Sequence, residues 1–367
     1  MRVLIACDKF KGSLTTFEVN AAIAKGIQQA HPDADIHTVP IADGGDGSLS
    51  VIASIIPSEE IWVDTIDAVG RPIQAHYLIS GDTAYIEMAQ ASGLVLINEA
   101  SRNPLHTHTI GTGLLMKYAL NQGIKKIVLF IGGSATNDAG IGIAHAMGFQ
   151  FLDSEGRELP PSGQNLARVH EILPPTPLPD FELSILTDVS NPFTGSEGAV
   201  YTYAQQKGAK EDDLLSLEMG MIHFSQILHK QFGVDISHIP GAGAAGGISG
   251  GLHALMGAHL QEGFPTLAQL ADLETHIQQA DLIITGEGQL DTQSIQGKVV
   301  GQIATLCQKY DKQLIVMAGN NTLSKDTYQQ AGISQVHHIM SVAKNLQDAM
   351  ENGAEYLEGL GRGNNKQ

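Results

Sequence analysis

Short apolar runs alternate with glycine-rich loops and helically spaced segments along much of the chain. Residues 3–6 form a continuous apolar run that fits a strand buried on both faces. A helix follows over residues 15–30. Thr15 with Glu18 makes a capping box there, and Val19, Ala22, Ile23, Gly26, Ile27 and Ala30 fall at helical spacing. The unit then repeats, with a strand predicted at 36–41 and a helix at 49–56. After Pro57 the texture changes: residues 60–67, 73–80 and 83–88 read as antiparallel strands joined at Gly70-Arg71-Pro72 and Gly81-Asp82. A helix at 112–121 leads into a buried strand at 127–131. Pro160, Pro161, Pro174, Pro175, Pro177 and Pro179 mark irregular connections before a strand at 181–186 and a helical stretch at 211–232. Strand–helix alternation returns at the end, with strands at 281–285, 314–317 and 336–340 and a closing helix at 345–360.

Both ends of the chain share this alternation and the middle does not. The expected fold is therefore two α/β domains. One is a flavodoxin/Rossmann-like parallel sheet built from both chain ends, residues 1–58 and 270–367. The other is an inserted α/β domain with a mixed sheet, residues 59–269, and the cleft between them is the expected site. The length of 367 residues agrees with about two domains. A net charge of -18 argues against nucleic acid or an anionic membrane as partner, because both call for a basic face. The two cysteines, Cys7 and Cys307, have neither metal-ligand spacing nor a disulfide framework, which suits a reduced cytoplasmic setting. The opening MRVLIACDKF is not patterned as a signal peptide, and the longest apolar runs are too short for a membrane span.

The candidate chemistry lies where predicted strands end. After 127–131 comes GGSATNDAGIG. Gly132 and Gly133 remove side-chain bulk, and Ser134, Thr136, Asn137 and Asp138 bring polar groups to a helix start, an arrangement suited to an anion. A plain turn with an N-cap is the other reading. The first loop carries Asp8, Lys9, Lys11 and Ser13, and ADGGDGS places Asp43 and Asp46 around a glycine turn. TDVSNPFTG contributes Asp188 and Asn191, with Lys207 downstream, and GEGQLDTQSIQGK puts Glu287, Asp291 and Lys298 on one loop and helix start. Gly241, Gly243 and Gly246 match G-x-G-x-x-G, but Ser237, His238, Ile239 and Pro240 before them are not an apolar strand. That run reads instead as a turn into a tightly packed or phosphate-facing helix. There is no P-loop motif, and His106 and His108 have no third ligand in view. Phosphate donors, interleaved lysines and carboxylates are the ingredients of phosphoryl transfer, so the residues alone indicate a small-molecule kinase or phosphohydrolase.

In order, DKFKGSLTTFE, ADGGDGS, GGSATNDAGIG, DVSNPFTG, QKGA, GAGAAGG and ITGEGQLDTQSIQGK resemble the bacterial glycerate kinases that form 2-phosphoglycerate. The resemblance runs from Val3 to about Gly319. It implies ATP-dependent phosphorylation of D-glycerate with Mg²⁺ on a two-domain α/β fold with a flavodoxin-like part. The expected partner is the small-molecule substrate, with no nucleic acid or membrane, and the expected state is a monomer or homodimer. This chain has Cys7-Asp8-Lys9 where the family usually has Pro-Asp-Ser, and Asp46-Gly47-Ser48 where Glu-Gly-Thr is frequent. Residue chemistry then suggests roles. Lys11, with Lys9 or Arg71, would hold the glycerate carboxylate or the moving phosphate, and Ser13 lies on the same loop. Gly132, Gly133, Ser134, Asn137 and Asp138, with Gly241, Gly243 and Gly246, would face the nucleotide. Asp188, Glu287 and Asp291 are the Mg²⁺ or general-base candidates, with Asp43 and Asp46 next, while Asn191 and Lys298 would orient and neutralise.

Overall fold

The computed structural model describes residues 1–177 and 180–363, so Pro179 lies outside the described residues. The chain divides into two compact units: Met1–Asp43 with the segment from Phe264 onward, and Gly44–Gly263.

The first unit is built on a wholly parallel sheet in the order Gln335–His338, Gln313–Asn321, Leu282–Leu290, Arg2–Cys7 and Asp35–Thr38. Val3, Ile5 and Cys7 pack into one apolar cluster, and Leu4 and Ala6 into another. The sheet is covered on both faces, which is why its first strand shows no polar alternation. The helix Thr16–Ala30 starts at the expected capping box: Thr15 accepts from the Glu18 backbone, and Glu18 accepts from the Thr15 backbone. This helix packs on Gly353–Gly361 through Gly26, where a Cβ would stand 2.2 Å from the Glu358 carbonyl oxygen.

Two central strands run further than their apolar stretches suggest. Pairing continues from Glu287 opposite Ala318 to Leu290 opposite Asn321. Glycine permits it, since a Cβ at Gly286 would stand 1.9 Å from the Met317 carbonyl oxygen, and one at Gly319 would stand 2.4 Å from that of Gly288. Glu287 therefore sits on a strand, not on the loop expected from its Gly-Glu-Gly setting. Residues 345–360 are two helices, Leu346–Glu351 and Gly353–Gly361, separated at Asn352.

The second unit holds a six-stranded mixed sheet in the order His259–Gln261, Glu182–Leu186, Lys126–Phe130, Thr83–Glu87, Pro72–Ser80 and Glu59–Ile66. The first four strands are parallel and the last two antiparallel. His259–Gln261 and the small pair Gln150–Leu152 and Glu171–Leu173 are too short to leave a period in the sequence. Because Thr83–Glu87, Lys126–Phe130 and Glu182–Leu186 are parallel neighbours, their carboxyl ends open on one edge, where ligands gather in such sheets. Among the described residues no helix is long and apolar enough to cross a membrane.

The Gly26 contact can be tested by adding a methyl group. Gly26→Ala is expected to lower stability by ~1–3 kcal/mol through overpacking against Glu358, read from the urea midpoint. Gly359→Ala, whose added Cβ meets nothing within 4 Å, is expected to be neutral or slightly stabilising.

Candidate active site

In the first unit, three acids, Asp8, Asp43 and the strand residue Glu287, act on one another electrostatically. Asp8 follows Arg2–Cys7 and is tied back by its N–H to the Gly286 carbonyl at 2.8 Å. Its carboxylate accepts from the Lys9 backbone at 2.7 Å, and the Lys9 ammonium pairs with Asp43 at 3.3 Å. Burial first, and then the Asp43 charge, push the Asp8 carboxyl well above its usual range, with Lys9 opposing and Glu287 adding to the rise. Glu287 is pushed up to about 7, chiefly by burial, while Ser294 and Lys298 pull it down and Asp291 and Asp43 raise it. Its Oε1 is buried with no hydrogen-bond partner. The Asp43 charge thus raises the proton affinity of both Asp8 and Glu287, and Glu287 adds to that of Asp8, in a partly buried place.

Their neighbours are more fully committed. Asp291 caps the short helix Thr292–Ile295, accepting from Gln293 and Ser294 backbone N–H groups at 2.8 and 3.2 Å. Lys298 is exposed at the start of Val299–Lys309 and donates to Gln293 at 3.2 Å. Lys11 is exposed too, with its backbone N placed 3.5 Å from where a Gly288 Cβ would be. Ser13 points elsewhere, donating to the Met350 carbonyl at 2.7 Å.

In the second unit the glycine loops meet. A Cβ on Gly132 would stand 2.3 Å from the Gly45 Cα, and one on Gly133 would stand 3.5 Å from the Asp46 Cβ. The loop carrying Asp46 is held by Glu87, a buried acid at the end of Thr83–Glu87. Both Glu87 oxygens accept from the Gly47 N–H at 3.0 Å, and one accepts from Leu49 at 3.2 Å, capping the helix Ser48–Ile55. Beneath Ser134 lies Lys207, which is 3% exposed and donates to Ser134 Oγ and the Thr136 carbonyl, each at 2.7 Å. Asp188, at the end of Glu182–Leu186, accepts from the Gly263 N–H at 2.7 Å. The Asn191 amide donates to the Glu197 carbonyl at 2.7 Å and accepts from the Tyr203 hydroxyl at 2.6 Å.

Several residues expected to face the nucleotide or substrate are engaged or buried inside the fold. Asp138 is fully buried and accepts from the Thr109 N–H and hydroxyl at 2.8 Å, and from Gly140 and Gly142 at 3.1 and 3.2 Å. It is a framework acid with its acceptor capacity used inside the fold. Asn137 is buried beside it. Gly241, Gly243 and Gly246 are buried packing positions: a Cβ at Gly243 would meet the Pro192 carbonyl at 2.0 Å, and one at Gly246 that of Thr136 at 2.2 Å. The Gly243 N–H already donates to Asn191. Of the two readings of that run, tight packing is what the contacts give. Arg71 is committed to its own turn, pairing with Asp67 at 2.6 Å and donating to the Leu96 carbonyl.

Asp8 and Lys207 stand among the loop residues of the sequence analysis without an assigned role, and Glu87 was not singled out from the sequence. A carboxylate ending an otherwise apolar strand run was the available signal for Glu87. Among the described residues no three His, Cys, Asp or Glu side chains form a metal cage. Mg²⁺ needs none, since it keeps waters and phosphate oxygens and uses one or two carboxylates. The mutually repelling Asp8 and Asp43 are donor chemistry that fits it.

Residues 3–363 match the model of the glycerate kinase family. A relative from Escherichia coli K12 named glycerate 2-kinase is 39% identical over 355 residues, 95% of this chain and 93% of the relative. A glycerate kinase from Bacillus subtilis 168 is 38% identical over 99% of this chain and 96% of its own length. Among solved structures, a candidate glycerate kinase 2 from Salmonella typhimurium LT2 superposes with a TM-score of 0.81 at 34% identity, covering 99% of this chain and 96% of the other. With the family match spanning nearly its whole length, the chain belongs to the glycerate kinase family.

Proposed function

We propose that the protein transfers the γ-phosphoryl group of ATP to the 2-hydroxyl of D-glycerate, giving 2-phospho-D-glycerate and ADP. The observation that carries this reading is the Asp8, Asp43 and Glu287 cluster, with the raised proton affinities of Asp8 and Glu287 and one orphaned Glu287 oxygen. The E. coli relative's name supports the 2-position.

Each group then has a task. Glu287 accepts the hydroxyl proton as the substrate oxygen bonds to the γ-phosphorus and the bond to the ADP oxygen breaks. A carboxylate near 7 is well matched to that step at neutral pH. Asp8 and Asp43 would hold Mg²⁺, which when bound neutralises charge building on the phosphate oxygens. Lys11 and Lys9 hold the glycerate carboxylate, Lys298 offsets phosphate charge, and the Gly132, Gly133 and Ser134 backbone receives nucleotide phosphates. Asp188, which accepts from the Gly263 N–H, and Asp291, which caps its helix by accepting from Gln293 and Ser294, serve as positioning residues.

The direct test couples purified protein, Mg-ATP and D-glycerate to enolase with no phosphoglycerate mutase present. Phosphoenolpyruvate is expected. ADP release without it would move the reaction to the 3-hydroxyl, and no glycerate-dependent ADP would refute the kinase reading.

Glu287→Gln separates catalysis from stability. Its kcat is expected to fall by ~10²–10⁴-fold, the worth of a general base. Its stability should move the other way. Folding raises the Glu287 pKa, so the native state binds a proton that the unfolded chain has released between about pH 4.5 and 7. The wild type therefore loses stability as pH climbs through that window. In EDTA-containing buffer the variant should melt higher than the wild type at pH 8, and the gap should close by pH 5.

A further inference from the structure

Lys207 ends the single turn Gln205–Lys207, and Gly208 after it has φ +97°. A Cβ at Gly208 would stand 2.3 Å from the Arg102 carbonyl oxygen, so the turn is pressed onto the fold and the lysine is directed inward. Its ammonium meets two neutral acceptors, Ser134 Oγ and the Thr136 carbonyl. Asp138 is the one ionisable group whose charge bears on it among the described residues. That carboxylate is already occupied by Thr109, Gly140 and Gly142. Burial accordingly pushes the Lys207 amine down to about 7, with Asp138 opposing. In the same loop, Thr136 Oγ1 and both polar atoms of the Asn137 amide are buried without partners.

The proton on Lys207 decides what Ser134 can do. An ammonium has three N–H donors and no acceptor, so Ser134 Oγ can only accept from it, and the serine proton is left for another partner. A neutral amine carries a lone pair and can take that proton inward. We propose that the Gly132–Ser134 loop is an oxyanion site coupled to Lys207, in which a bound phosphate group draws a proton onto the buried amine and turns the Ser134 hydroxyl outward as a donor. This rests on the reading of the loop as the receiver of nucleotide phosphates. Lys207 is a positioning residue in this scheme, since it touches Ser134 and not the ligand. The bound anion supplies the compensating charge that the neutral acceptors lack, and in a poorly solvated place that charge acts at full strength.

The experiment is calorimetric titration of the full chain with ADP at about pH 8.5, in two buffers of different ionisation enthalpy, with the free amine mostly neutral. The wild type should take up close to one proton per ADP bound, and its Kd should rise about tenfold per pH unit above pH 8. Lys207→Arg keeps the charge without a titration, so it should bind ADP with no uptake and a flat pH profile. Lys207→Met should bind roughly tenfold more weakly or worse, also without uptake. Ser134→Ala should weaken binding while the fold, checked by melting, persists. ADP binding to the wild type with no proton uptake, or with uptake that survives in the arginine variant, overturns the Lys207 coupling alone. No ADP or pyrophosphate binding by folded wild type overturns the nucleotide reading of the loop and this inference with it. If Lys207→Met does not fold, the arginine variant and the wild-type pH series decide the question.

Discussion

The contact on which the second unit's loops depend is a buried carboxylate against a helix start. Glu87 is 4% exposed, and taking such a group out of water costs several kcal/mol unless donors surround it. The Gly47 and Leu49 N–H groups are those donors, and they are also the orphan groups of a helix N-terminus whose dipole favours negative charge. One interaction therefore satisfies both sides. It fixes Gly47 in its left-handed conformation and brings Gly45 so near Gly132 that a Cβ at Gly132 has no room at the crossing. Asp46 and Gly133 are neighbours because of it.

Charge satisfaction then separates scaffold from chemistry throughout the molecule. Asp138 and Glu287 are both acids in glycine-rich surroundings, and burial raises the pKa of both. Asp138 has four donors from Thr109, Gly140 and Gly142, whereas one oxygen of Glu287 has none. A buried group with unused capacity is expensive to keep, and enzymes keep such groups where a proton or ligand will use them. Asp8 is held high in another way, by burial and by the charge of Asp43, with Lys9, the partner of Asp43, opposing. The roles of Asp138 and Glu287 follow this division: the satisfied acid holds the fold, and the one with a spare oxygen is the proposed reactant.

Much of this was legible in the sequence. The run at residues 3–6 announces a strand covered on both faces, and the change of texture after Pro57 corresponds to the antiparallel edge of the mixed sheet. The Thr15–Glu18 box marks a helix start to the residue. What was not legible depends on distant partners. Nothing local distinguishes Asp138 from Glu287, because the donors that settle Asp138 include Thr109, 29 residues away. Gly-Glu-Gly has the composition of a turn, and only the close approach of Met317 shows why it continues a strand. The glycines from 241 to 247 carried a nucleotide-binding pattern without its strand, and the contacts with Pro192 and Thr136 show that close packing selects the same residue type. Lys207 was visible as a cation but not as a buried one, since its burial follows from a turn pressed onto Arg102.

The overall charge gives these few buried groups their weight. A chain with net charge -18 repels the anions that the proposed reaction brings together, so long-range attraction cannot bring them in. Binding must instead come from short-range donors and cations whose fields water does not screen. An exposed lysine such as Lys298 works through high dielectric and is weakened by salt. An ammonium 3% exposed beneath a glycine loop works through low dielectric, where the same charge is worth several times more. The cost is that such a cation is unstable when the loop is empty. A protein this acidic therefore gains most from a cation that forms as its anion arrives, and the neutral acceptors around Lys207 are the surroundings that would make it do so.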